Sequence, residues 1–377
     1  MTRWPSIAAV QSVTLDAHIH DARQLSSPPR RILAVKLSSF GDIIHVTPCI
    51  RALRQAFPQA GIILAVESRW ADVVRRNAHL NRLIECSSQL QLTPSYLWQV
   101  RRLLSKAGPF DLAIDFQGTR RSAAWVYLSR ARIKAGRGHP RPGWKSAVNP
   151  DNTQHAVKVC AGICTGLGVP VASLNPEIFL DEDEERTLDA ILKAAGLPAT
   201  GFVILNPFSR WPSKDWPETQ AAGVADRISR ELGALVVVSG GAEDRQRAEA
   251  LIRMTTGGNA VSLAGALTLG QALCLYRRAR LMISCDSGPM HAAAALNVPV
   301  VALFGPTHPE RTGPWGEAHR ILQASRPLQH HAYRTAEGSR HMQALDSDAI
   351  FEAAKELLAV TSASAGQRVE SPGKNNR

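Results

Sequence analysis

The stretch Ile32-Leu-Ala-Val-Lys-Leu-Ser-Ser-Phe-Gly-Asp42 decides the fold. Its apolar start reads as a buried strand, its small residues as a loop, and residues 43–57 carry helical spacing. Strand, short loop and helix open a doubly wound α/β domain, in which ligands collect at the carboxyl ends of the strands. Lys36 and Asp42 therefore flank the hydroxyls of Ser38 and Ser39 where chemistry is expected. On its own the stretch reads equally well as a solvated lysine and an aspartate that caps a helix.

Leu281-Met-Ile-Ser-Cys-Asp-Ser-Gly-Pro-Met-His291 tips that balance. An apolar strand ends at Asp286, Ser287 and Gly288 make the turn, and Pro289 sits where a first helical turn tolerates it. The alanines that follow are the best helix formers. Free N–H groups and the positive dipole end at such a terminus favour an anion. Gly288 leaves room for a phosphate, and His291, one turn beyond Ser287, can point at the same ligand. The plainer reading of His291 is a partly buried helix histidine.

Working outward, strands are expected at 32–35, 62–66 and 112–115, and again at 202–205, 235–238, 261–263, 281–284 and 300–304. Helices are expected near 46–57, 69–77, 96–106 and 155–167, then 217–231, 243–254, 269–278 and 289–296. This alternation indicates parallel βαβ units. It divides the chain into a flexible extension (1–29), a first α/β domain (30–170), a linker region (171–200) and a second α/β domain (201–345). A C-terminal helix (346–360) and a disordered tail (361–377) complete it. The acidic run 181–185 starts a solvated helix, and the loop 136–143 has too many glycines and prolines for regular structure.

The 377 residues, 45% hydrophobic and 20% charged, suit two soluble domains. No run approaches the roughly 20 apolar residues of a membrane span, and residues 1–30 lack the apolar core of a cleaved signal. Six scattered cysteines without a CxxC pair support neither a zinc site nor a disulfide framework, so a reducing cytoplasm is expected. The His18-Ile-His20-Asp21 run has no further ligands around it, and His330, His331 and His341 read as surface residues.

The net charge of +12 is uneven. Residues 31–170 hold 20 Lys and Arg against 7 Asp and Glu, whereas residues 171–325 hold 14 against 17. A polyanionic partner for the first half is implied, either an anionic membrane or an acidic glycolipid. Nucleic acid is not expected, because the arginine pairs lie on separate elements without interleaved aromatics. A dinucleotide-dependent oxidoreductase is disfavoured too, since the first loop lacks G-x-G-x-x-G spacing.

Six segments then fall in one order. They are Lys36–Asp42 with Pro48, Asp115-Phe-Gln-Gly-Thr-Arg-Arg-Ser122, Asn206-Pro-Phe-Ser-Arg-Trp-Pro-Ser-Lys-Asp-Trp-Pro217, Ser239-Gly-Gly-Ala-Glu-Asp244, Asp286–His291 and Phe304-Gly-Pro-Thr307. Each is short, but together, over residues 31–322, the chain resembles the lipopolysaccharide heptosyltransferases of glycosyltransferase family 9. The resemblance implies a GT-B fold, two Rossmann-like domains facing across a cleft, with acceptor on the first and nucleotide-sugar on the second. It implies inversion at the anomeric carbon without a metal or other cofactor.

By the same resemblance, Asp42 is the general base that takes the acceptor proton. Partial burial has to raise its pKa for good basicity, and Lys36 lowers it if close. Lys36, Ser38, Ser39, Arg120 and Arg121 form the expected acceptor side, the guanidinium forks suiting carboxylate or phosphate groups. Arg141 and Lys145 are further candidates. On the donor side Lys214 lies against the phosphates, with the helix terminus at Ser287, Gly288 and His291 stabilising the leaving group. Ser209 adds a hydrogen bond, and Arg210 stands where the family often has a small hydroxyl residue. Glu243, or Asp244 beside it, takes the ribose, and Asp286 contacts sugar hydroxyls or braces its loop.

The expectation is transfer of heptose from ADP-heptose to an acidic lipid A–Kdo acceptor of the inner core. The enzyme would be cytoplasmic and peripheral at the inner membrane face. The alternatives are another nucleotide-sugar and envelope glycan on the same scaffold, or a non-catalytic nucleotide-binding protein.

Overall fold

The computed structural model describes residues 27–88, 91–138, 144, 146–148, 153–324 and 336–369. The chain forms two units, Met1–Leu180 with Glu310–Glu317, and Asp181–Pro309 with Ala318–Arg377. The extension and tail at 1–26 and 370–377, and Arg141, Lys145, His330 and His331, lie outside the described residues.

In the first unit the strands are β1 (Arg31–Val35), β2 (Gly61–Glu67), β3 (Arg82–Cys86), β4 (Leu112–Asp115), β5 (Ile133–Arg137) and β6 (Ser146–Val148). They lie parallel in the order β3-β2-β1-β4-β5-β6. The helices are α1 (Phe40–Ile44), α2 (Thr47–Ala56), α3 (Pro94–Ala107), α4 (Arg120–Leu128) and α5 (Ala156–Thr165). Strands β1 and β4 are buried almost throughout, so each reads as an unbroken apolar run.

The second unit repeats the pattern. Its strands β7 (Val203–Asn206), β8 (Val236–Val238), β9 (Ala260–Ser262), β10 (Leu281–Cys285), β11 (Val300–Phe304) and β12 (His319–Gln323) are also parallel, in the order β12-β11-β10-β7-β8-β9. Around them lie α6 (Glu182–Ala194), α7 (Glu218–Leu232), α8 (Arg245–Met254), α9 (Leu269–Arg277) and α10 (Gly288–Ala295). Next come the single turn α11 (Pro309–Thr312), then α12 (Ala336–Gln343) and α13 (Ser347–Val369). The core gathers Phe208, Trp216 and Ile228 with the inward faces of α7 and α13.

Several expectations need correction. The helical spacing over 43–57 is split: α2, with Pro48 in its first turn, is the helix expected at 46–57, and the short α1 before it closes at His45. The helix expected at 69–77 is a 3-10 turn, Ser68–Val73, followed by turns. Gly136 and Arg137 of the supposed loop belong to β5. The linker region holds α6, which belongs to the second unit and is capped by Asp181 through its bond from the Asp183 N–H, 3.0 Å. The last helix continues to Val369, into the expected tail.

Each sheet reverses its strand order once, at β1/β4 and at β7/β10. The crevice at such a switch point, beyond the carboxyl ends of the strands, is where this class of sheet binds ligands. The loops after these four strands carry the residues considered next.

Candidate active site

In the first unit the loop after β1 is shaped by the loop after β4. Asp115, fully buried, accepts from the N–H groups of Gln117 (3.0 Å) and Gly118 (2.9 Å). Gly118 takes a left-handed φ of 78° to make that turn. Gln117 then reaches across, its Oε1 accepting from the N–H of Leu37 (2.7 Å) and Ser38 (3.2 Å). Its Nε2 donates to the Ser38 hydroxyl at 3.2 Å. Gln117 lies in a quoted motif but carried no expected role. Its function is set by residues some eighty positions away.

That clamp presents Asp42. One carboxylate oxygen accepts from the Ser39 hydroxyl (2.7 Å) and N–H (3.2 Å), so Asp42 does take part in capping α1. The other faces the Lys36 ammonium at 3.5 Å, whose Nζ also lies 3.5 Å from the Phe116 carbonyl. The lysine side chain is 4% exposed and the aspartate 44%. Burial acts to raise the Asp42 carboxyl. Lys36, His45 and the Ser39 hydrogen bonds outweigh it and hold the group well below the usual carboxylate range. Of the two effects expected at Asp42, the lowering by a close Lys36, joined by His45 and Ser39, prevails over the raising by burial.

The two arginines after β4 part company. Arg120 is exposed at the first position of α4. Arg121 turns inward and pairs with Glu67 at the end of β2, both buried, while Arg69 binds the other Glu67 oxygen at 2.8 Å. A guanidinium committed to a buried carboxylate is not offered to an acceptor, which corrects the pairing of Arg121 with Arg120.

In the second unit Asn206, at the end of β7, ties three strand ends together. Its amide donates to the Ser287 hydroxyl and the Phe208 carbonyl, both at 3.1 Å, and its oxygen accepts from the Ser239 hydroxyl at 3.1 Å. Ser287 is the N-cap of α10, with Gly288 and Pro289 opening the helix. Lys214 reaches this terminus from a 3-10 turn. Its ammonium donates to the Asp286 carbonyl (2.7 Å) and carboxylate (3.1 Å). Asp286 is 8% exposed and Lys214 15%. The Asp286 carboxylate is thus engaged by Lys214. His291 is buried on the first turn of α10.

The remaining donor candidates differ in availability. The Ser209 hydroxyl donates to the Trp211 carbonyl (2.7 Å) and its N–H to Asp215 (2.7 Å), so its donors hold the loop together. Asp215 was not anticipated. Its carboxyl, pushed up by burial against the pull of Arg247 at 2.7 Å, anchors that loop. Arg210 is exposed, with its guanidinium over the Trp211 ring. Asp244 accepts from the Gly241 N–H at 2.9 Å, whereas Glu243 is exposed. Among the described residues no cluster of three or more His, Cys, Asp or Glu is arranged to hold a metal, and no helix is long and apolar enough to cross a membrane.

The chain was compared with known proteins. A family model described as glycosyltransferase family 9 (heptosyltransferase) matches residues 98–339. Lipopolysaccharide heptosyltransferase 2 of Escherichia coli K12 is 34% identical, over 78% of this chain and 88% of its own. The crystal structure of a family 9 glycosyl transferase from Veillonella parvula is similar with a TM-score of 0.77 and 27% identity, covering 88% of this chain and 97% of that one. The E. coli heptosyltransferase WaaC, solved with ADP, has a TM-score of 0.67 at 21% identity, covering 87% and 99%. The shared architecture is the GT-B fold.

Proposed function

The chain belongs to glycosyltransferase family 9 and is a glycosyltransferase, and on that premise we propose that it moves heptose from ADP-heptose to a hydroxyl of the lipopolysaccharide inner core. One observation carries the division of labour. Each unit holds a lysine–aspartate pair at its switch point, and the two pairs present opposite charges to a ligand. The first shows a carboxylate steadied by a buried ammonium. The second shows an ammonium steadied by a buried carboxylate.

The half-exposed carboxylate of Asp42 suits an acceptor hydroxyl. As the hydroxyl oxygen bonds to the anomeric carbon, the bond from that carbon to the diphosphate breaks and ADP leaves with the electron pair. The hydroxyl proton passes to Asp42. A carboxylate held well below the usual range is a weak base. It therefore takes the proton late, once bond formation has made the hydroxyl acidic. Direct displacement of this kind inverts the anomeric carbon.

Negative charge growing on the departing diphosphate meets Lys214 and the N–H groups at the start of α10, which stabilise it in place of a divalent ion. Gly288 allows close approach, His291 lies on the same turn, and exposed Glu243 suits the ribose hydroxyls. The ADP-bound relative supports an adenine nucleotide. Arg120 with Ser38 and Ser39 would meet the acidic groups of a lipid A–Kdo acceptor at the cytoplasmic face of the inner membrane.

The test is transfer from ADP-heptose to a lipid A–Kdo acceptor, with and without EDTA, and the anomeric configuration of the product read by NMR. Inverted product formed equally in both conditions is expected. Transfer that stops with EDTA and returns with a divalent ion would sink the metal-free route. A stronger response to UDP- or GDP-sugars in a thermal-shift panel would overturn the donor.

A further inference from the structure

We propose that the outward face of α3 is the surface by which the first unit docks on an anionic lipid bilayer. The inference rests on the reading of a membrane-borne acceptor and gives that acceptor's membrane a place to meet the protein.

The helix is anchored firmly on its other side. Tyr96, Val100, Leu104 and Ala107 are buried in the core of the unit. The Tyr96 hydroxyl accepts from the Trp125 indole of α4 at 2.9 Å, which sets the rotation of α3. The Thr93 hydroxyl caps its start by accepting from the Tyr96 N–H at 3.2 Å. With the rotation set, Trp98 points outward and is 63% exposed. Arg101, Arg102 and Lys106 share that exposed face, and the Arg102 guanidinium lies 5.5 Å from the Trp98 ring centre. No acidic residue occurs between Pro94 and Ala107. Leu92, 41% exposed, extends the apolar patch just before the helix.

An aromatic ringed by cations has a definite chemical match. Indole rings settle at the headgroup level of bilayers, and basic side chains are drawn to an anionic surface. The location agrees with the acceptor site. Helices α3 and α4 pack together, and each begins beyond the carboxyl end of the strand before it. In a parallel sheet this is the edge that carries Asp42 and Arg120. Tyr127, exposed on α4, adds a second amphipathic ring to the unit.

The test is co-sedimentation of the full chain with phosphatidylglycerol-rich vesicles and with pure phosphatidylcholine vesicles, without donor. Binding to the first, release by salt and little binding to the second are expected. Trp98→Ala should lower the partition several-fold, and the double variant Arg101→Glu/Arg102→Glu should lower it by roughly thirtyfold or more. Their melting temperature and their transfer to an acyl-free acceptor should stay unchanged. Wild-type protein that ignores anionic vesicles, or variants that bind like wild type, would overturn the proposal. So would a face that only mediates self-association, seen as dimers that the double variant dissociates while vesicle binding is unaffected. Vesicle binding lost in the variants alongside absent heptose transfer by wild type would uphold the surface and reject the activity.

Discussion

The loops at the two switch points use the same two residue types and reach opposite ends. Lys36 is buried under a half-exposed Asp42, whereas Asp286 is buried and holds Lys214 through both its carbonyl and its carboxylate. A lysine–aspartate pair in a crevice therefore has no fixed chemical meaning. What matters is which partner the surrounding backbone encloses. In the first unit Gln117 shapes the loop and Ser39 holds one oxygen of a half-exposed carboxylate, and in the second the buried carboxylate is held by Lys214.

The sharpest way to break this comparison is Asp42→Ala. It should cut kcat roughly 10²–10⁴-fold with ADP affinity by calorimetry unchanged. Lost ADP affinity would move Asp42 to the donor side. Lys214→Met should do the reverse, weakening ADP binding and lowering kcat by roughly 10²–10³-fold. Asp286→Asn should show a smaller loss, because the lysine keeps the carbonyl contact.

Arg121→Met should lower unfolding stability by about 3 kcal/mol, since Glu67 is left buried with only Arg69. Arg120→Ala, on the exposed side, should stay within about 0.5 kcal/mol of wild type while raising the acceptor KM. A chemical-denaturation series separates the two.

Lys36→Met tests the electrostatics. With the ammonium gone, burial is opposed mainly by His45 and Ser39, so the Asp42 pKa should rise by about 1–3 units. In wild type Asp42 stays ionised until the pH falls below the ordinary carboxylate range. In the variant the acid limb of kcat/KM should therefore move to higher pH. An unmoved limb would mean that Lys36 does not control Asp42.

The central strands were legible because full burial leaves uninterrupted apolar runs, as in Ile32-Leu-Ala-Val35. Strands β3, β5 and β12 were not. They lie at or next to sheet edges and are only partly buried, and their sequences Arg82-Leu-Ile-Glu-Cys86, Ile133-Lys-Ala-Gly-Arg137 and His319-Arg-Ile-Leu-Gln323 mix charge into the run. Around the site, Asp42 stood out because it lies soon after a recognisable strand, whereas Lys214 stood out only through the resemblance of its loop to the family's. The turn of Arg121 to Glu67, the clamp of Gln117 on Leu37 and the span of Asn206 to Ser287 had no local signature. Each joins residues more than fifty positions apart, which spacing along the chain does not encode.

One detail of the fold bears on how the chain is made. Residues Glu310–Glu317 belong to the first unit although they lie between β11 and β12 in the sequence. There the Gly313 carbonyl sits 3.0 Å from the ring of His155, which the Trp315 side chain also packs against. A ribosome that has just finished Leu180 has thus not yet made all of the first unit. At synthesis rates of roughly 5–20 residues per second, the missing piece follows on the order of ten seconds later. An excised fragment ending at residue 180 would be permanently incomplete, so a clean cut between the halves of this gene would yield a maimed amino-terminal product.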